Sequence, residues 1–116
     1  MAHSVRYALA LDLVDDAEKI AAYEKAHETI WPEVRDHLRA QGVLDMEIYR
    51  LGTRLFMLME VDPQVYSAET MAAESRANAV IVKWEALMST YQVPTPWTLA
   101  NEKWAPMAPI FSLRAQ

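Results

Sequence analysis

The strongest constraint on this chain is a pair of alternating runs held two residues apart. Residues 43–51 and 54–61 each place apolar side chains at alternate positions, the second run more hydrophobically, as a central strand does. Only Gly52-Thr53 separates them, so the runs turn straight back on each other as an antiparallel hairpin. Residues 5–13 carry apolar side chains at 5, 7, 9, 11 and 13, which predicts a third strand with one buried face. Between that strand and the hairpin the period changes. Asp15 and Asp16 offer an N-cap, with Glu18 placed three residues after Asp15 as in a capping box. A stripe then runs in steps of three and four through Ile20, Tyr23, His27, Ile30 or Trp31, Val34 and Leu38. Proline is tolerated in the first turn of a helix, so Pro32 predicts two helical pieces, 16–29 and 32–40, with Gly42 closing the second.

Asp62-Pro63 ends the hairpin. Residues 64–91 contain neither Gly nor Pro and read as helix, divided near Asn78. The later piece carries Val80, Trp84, Leu87, Met88 and Tyr91 on one side. Pro94, Pro96, Pro106 and Pro109 make the remainder irregular, and a last short strand is expected over 108–113. The order β-α-β-β-α-β predicts an α+β ferredoxin-like sandwich, a four-stranded antiparallel sheet with its helices on one face. A length of 116 residues suits one domain, 1–116. Strand 54–61 is apolar on both sides, and monomers avoid so large an open patch. Sheet is therefore expected to pack on sheet in a homodimer, as a dimeric α+β barrel.

Composition removes several kinds of function. The formal charge of −5 argues against a nucleic-acid partner or an anionic membrane surface, both of which call for a basic patch. With no cysteine, thiolate metal sites and cysteine nucleophiles are excluded. Two glycines cannot supply a Gly-rich phosphate loop. No metal-ligand spacing and no nucleophile elbow occurs, so neither a metal nor a covalent hydrolase mechanism is expected. The N-terminus has no basic stretch followed by an apolar one, and no apolar run approaches ~20 residues, which predicts a cytoplasmic protein with no membrane span.

Few residues remain that could do chemistry. Of the three histidines, His3 is expected to be solvated and His37, one step off the apolar stripe, to face water. His27 falls on the stripe one turn after Tyr23, so imidazole and phenol lie one above the other on the inward face. Such an imidazole is either tied down as a structural group or suited to moving a proton each way near neutral pH. Asp45 and Glu47 share a strand face with Tyr49, opposite Met46 and Ile48. Asp45 is expected to coat a solvated edge, while Glu47 or Glu60 could face a cleft and hold hydroxyls. Four Trp and five Tyr leave rings to fill a core or to stack on a flat ligand.

The stretch 23–33, with Tyr23, His27 and Ile30-Trp31-Pro32-Glu33, resembles the signature of the L-rhamnose mutarotase family. Residues 45–52 with Arg54-Leu55-Phe56-Met57, the block 84–88, Glu102-Lys103-Trp104 and Ile110-Phe111-Ser112-Leu113 look like its bacterial L-fucose branch. The resemblance spans nearly the whole chain and implies a dimeric α+β barrel that interconverts the α and β anomers of a 6-deoxy sugar without a cofactor. Carried over, His27 matches the family's proton donor and Tyr23 a sugar-binding tyrosine that could also transfer a proton. Trp84 matches the second of two sugar-binding tryptophans. Lys83 stands where the first would be, and Met46 where a second sugar-binding tyrosine would be. Both departures point to L-fucose rather than L-rhamnose. The substrate-binding set is thus Tyr23, Met46, Lys83, Trp84 and, as a guess at the second acid or base, Glu47. Haem-handling or monooxygenase chemistry and a non-catalytic sugar-binding module are the rival readings of the architecture, since fold does not fix function.

Overall fold

A computed structural model describes residues 3–116. Alternation produces three long strands: β1 (Val5–Leu13), β2 (Val43–Leu51) and β3 (Arg54–Val61). The β2–β3 hairpin closes through Gly52 at φ +59°, a left-handed conformation that glycine adopts without strain. β3 lies between β1 and β2, pairing antiparallel with each. The 16–29 helix is shorter than expected: α1 (Ala17–Ala26) starts at Asp16, which caps the amide of Lys19, and stops at His27. α2 (Pro32–Ala40) has Pro32 in its first turn. Asn78 caps α4 (Ala79–Ser89) through the amides of Val80 and Ile81 and so separates it from α3 (Ala68–Ala77).

The last strand falls elsewhere than 108–113. Two short strands, β4 (Gln92–Val93) and β5 (Ala105–Pro106), share the free edge of β1, opposite Asp12–Leu13 and Leu9–Ala10 respectively. Proline has no amide to give a ladder, so the proline-rich stretch pairs only in fragments. Ile110 and Phe111 are exposed. The sheet order β2-β3-β1-β4 is that of the ferredoxin-like fold.

Both core clusters lie on the helical face of the sheet. Leu13 and Leu55 pack against Tyr23, Val34, Ile81, Trp84 and Met88, while Met57, Met59 and Val61 continue the layer with Val43. A β-bulge between Val43 and Asp45 keeps Val43 inward and also turns Met46 and Ile48 inward. Glycine is required at 42, where φ is +94° and a Cβ would meet the backbone nitrogen of Tyr66 at 2.8 Å. His37 does not simply face water. It is half-buried, and its Nε2 donates to Ser75 Oγ at 2.9 Å, because that hydroxyl spends its own proton on the carbonyl of Met71. The opposite face presents Ala8, Ala10, Phe56 and Leu58, half-buried but covered by no helix among the described residues, with the Arg54–Asp12 pair at one end. Among the described residues no helix is long and apolar enough to cross a membrane.

Candidate active site

A cavity of about 310 Å³ lies between the helical face of the sheet and α1, α2 and α4. Its floor is apolar. Leu9, Met46, Ile48, Met57 and Met59 rise from the strands, and Met71 and Met88 close in from the helices. Unbranched methionines repack readily around an irregular guest. The polar lining of the cavity comes from Tyr23 and His27 at the end of α1, Tyr66 ahead of α3, Glu85 of α4, Gln92 of β4 and Lys103 from the loop before β5.

The end of α1 sets up His27. A helix leaves its last four carbonyls without amide partners. The His27 amide turns to Glu24 and Lys25, so the Tyr23 carbonyl is free, and His27 Nδ1 takes it at 2.7 Å. A carbonyl only accepts, so Nδ1 carries the proton in the neutral ring and Nε2 keeps the lone pair. The ring is then boxed by aromatic neighbours. Tyr23 lies 4.3 Å away between centroids, and Trp84 is edge-on at 5.6 Å. Trp31 supports Trp84 in turn, edge-on at 5.1 Å. The imidazole is thus held by backbone and packing, with one nitrogen left over for chemistry.

Tyr23 is differently placed. Burial pushes its phenol up to about 12; the Gln92 amide beside it eases the shift and the Glu85 charge adds to it. A phenol that keeps its proton so firmly donates a hydrogen bond at neutral pH and does not act as a base. Gln92 Oε1 is buried without a hydrogen-bond partner, an arrangement that folding disfavours and binding sites tolerate. At the mouth, Lys103 Nζ bridges Glu85 Oε2 at 2.9 Å and Ser89 Oγ at 3.1 Å.

The structure brings together Tyr23, His27, Met46 and Trp84 of the residues singled out from sequence. It leaves three outside. Glu47 stands on the uncovered face of the sheet, where its carboxylate accepts from Tyr49 at 3.2 Å, because the bulge sends odd-numbered positions of β2 outward. Lys83 is exposed, one helical step round from the buried Trp84, and does not line the cavity. Glu60 likewise lies on the uncovered face, opposite Arg6 and Asp45. Sequence reasoning passed over Glu85, Gln92 and Lys103. Glu85 had a signal: Ile81, Trp84, Glu85 and Met88 sit at i, i+3, i+4 and i+7 of one helix face, with a charge inside an apolar stripe. Gln92 and Lys103 lie in segments with no periodicity to read.

Residues 6–113 match the profile of a family described as L-rhamnose mutarotase. An L-fucose mutarotase of Xanthomonas campestris pv. campestris is 41% identical over 110 residues, 93% of this chain and 87% of that protein. Among solved structures, an L-rhamnose mutarotase from Formosa agariphila superposes with a TM-score of 0.66 at 20% identity, covering 94% of this chain and 98% of its own. Tetracenomycin F2 cyclase from Streptomyces glaucescens has a TM-score of 0.57 at 18% identity, covering 93% of this chain and 97% of its own. The last two share the fold while their names carry different chemistries.

Proposed function

The chain belongs to the L-rhamnose mutarotase family, and from that premise we propose that it interconverts the α and β anomers of L-fucose, with His27 moving a proton. Membership makes it a carbohydrate isomerase acting at the anomeric centre. The reaction asks little of a protein. The ring oxygen gains a proton, the anomeric hydroxyl loses one, and the C1–O5 bond opens to an aldehyde. The carbonyl then rotates and the ring closes on its other face. Every step returns what it took, so one imidazole that can give and accept near neutrality is well suited.

The observation that carries this reading is the free Nε2 of His27. Its partner nitrogen is pinned to the Tyr23 carbonyl at 2.7 Å, and the ring lines the cavity beside a phenol that stays protonated. Tyr23 donates to a sugar oxygen, Trp84 offers an apolar wall to the C–H face of the ring, and the methionine floor accepts the C5 methyl that marks a 6-deoxy sugar. L-fucose is favoured over L-rhamnose by the 41% identical relative's own substrate and by Met46, which lines the cavity where the resemblance to the rhamnose branch expects a tyrosine. Anomer exchange followed by NMR saturation transfer on both sugars tests this. L-fucose should exchange faster at equal enzyme, and faster exchange of L-rhamnose would reverse the assignment.

The same reading includes a homodimer. The stripe of Ala8, Ala10, Phe56 and Leu58 is covered by no helix among the described residues, and a second copy of the same sheet is the surface it fits. A stable pair would bury at least ~1,200 Å².

A further inference from the structure

Ring opening needs two proton carriers at once, one at O5 and one at O1, and His27 is only one of them. We propose that Glu85 is the second, taking the anomeric proton while His27 supplies the ring oxygen. This rests on the mutarotase reading and deepens it.

The cavity narrows the choice. Glu85 is the one carboxylate lining it among the described residues, on the same wall as Trp84. Glu47 and Glu60 are on the far side of the sheet. Tyr23 holds its proton too firmly to serve as a base. Lys103 is occupied: its ammonium bonds Glu85 and Ser89 and carries no lone pair while charged. That bond fixes the Glu85 side chain, which is half exposed, against Lys103 at 2.9 Å. The titratable groups that line the cavity with it are Lys103 from the loop, Tyr23 and His27 from the end of α1 and Tyr66 ahead of α3, beside the uncharged Gln92 of β4.

The step balances. The Glu85 carboxylate takes the O1 proton, and the O–H electrons become the second bond of the C1 carbonyl. The C1–O5 pair passes to O5, which takes a proton from Nε2 of His27, the ring having first gained that proton from solvent. Glu85 is now protonated and His27 neutral, with Nδ1–H still on the Tyr23 carbonyl. After rotation about C1–C2, O5 attacks the other carbonyl face. Nε2 recovers the O5 proton and Glu85 returns its own to O1.

The bland alternative is a solvated ion pair at the mouth, of little consequence. Glu85→Gln keeps the shape and removes the base, and Glu85→Asp keeps the base on a shorter arm. With L-fucose exchange measured across pH, Glu85→Gln should fall at least ~10²-fold at an unchanged melting temperature and lose the acid-side limb that a carboxylate base produces. Glu85→Asp should retain that limb at an intermediate rate. Exchange by Glu85→Gln within about threefold of wild type, or a rise in KM alone at full kcat, would overturn the assignment of Glu85 and leave the mutarotase reading standing. A wild-type protein that exchanges neither sugar overturns the reading itself, and the assignment with it.

Discussion

The two faces of one sheet are made from alternate residues of the same three strands, and they differ in what they are left to do. On the helical face Met46, Ile48, Met57 and Met59 meet α1, α2 and α4 but do not fill the space, leaving a cavity with a partly polar lining. On the other, Ala8, Ala10, Phe56 and Leu58 form a half-buried strip with the Arg54–Asp12 pair at one end and, among the described residues, no helix above it. Flexible, unbranched side chains on one side and small or rigid ones on the other suit a pocket and a docking face respectively. The division of labour is thus set by alternation, and one substitution should disturb one face only.

The largest test of that separation is on the inner face. His27→Asn keeps a polar side chain and removes the imidazole, so exchange should fall at least ~10²-fold while the proposed dimer persists in sedimentation. A folded His27→Asn protein exchanging sugar at the wild-type rate would remove His27 from the mechanism. A smaller effect is expected from Leu58→Asp on the outer face, which puts an unpaired charge into the proposed contact. Dissociation of the dimer should strengthen about thirtyfold, ~2 kcal/mol, with exchange per folded chain little changed. A wild-type protein that sediments as a monomer at roughly micromolar concentration would show that the outer strip is not an interface. Loss of exchange in step with dissociation would show that the faces are not independent.

The smallest effect concerns the seam between core and cavity. The Tyr23 phenol has an ordinary value of 10 and is pushed up to about 12 by burial. Between those values the unfolded chain has shed a proton that the folded chain keeps. Stability is therefore complete below about pH 10 and is lost as pH climbs towards 12. Tyr23→Phe should flatten that decline in denaturant unfolding measured across the window. An unaltered slope would place the titration elsewhere.

Much of this was legible in the residues because strands and helices announce themselves by period. The hairpin around Gly52-Thr53, the break at Pro32 and the division at Asn78 all stand where spacing and turn chemistry put them. The final strand was not legible. β4 and β5 pair over two residues each, too short for any alternation, and their places are fixed by the edge of β1 rather than by their own sequence. The candidate site divides in the same way. Tyr23 and His27 follow from helical spacing, whereas the side of the sheet on which Glu47 lands depends on which face the helices cover. Lys103 reaches Glu85 across 18 positions of sequence, much of it irregular loop, and no local pattern encodes that meeting.

The hydrogen bond from His27 to the carbonyl of Tyr23 bears on how such a protein can change over generations. An imidazole oriented by a neighbouring carboxylate depends on a second gene-encoded side chain, and one codon change can misplace its proton. Here the orienting group is main chain, present whatever residue occupies position 23. On the proposed reading, the cavity wall at 23 can therefore be exchanged to accept a different sugar while Nε2 stays in the same tautomer. Substrate preference and proton placement are heritable separately, which leaves this fold free to drift between sugars without first losing its chemistry.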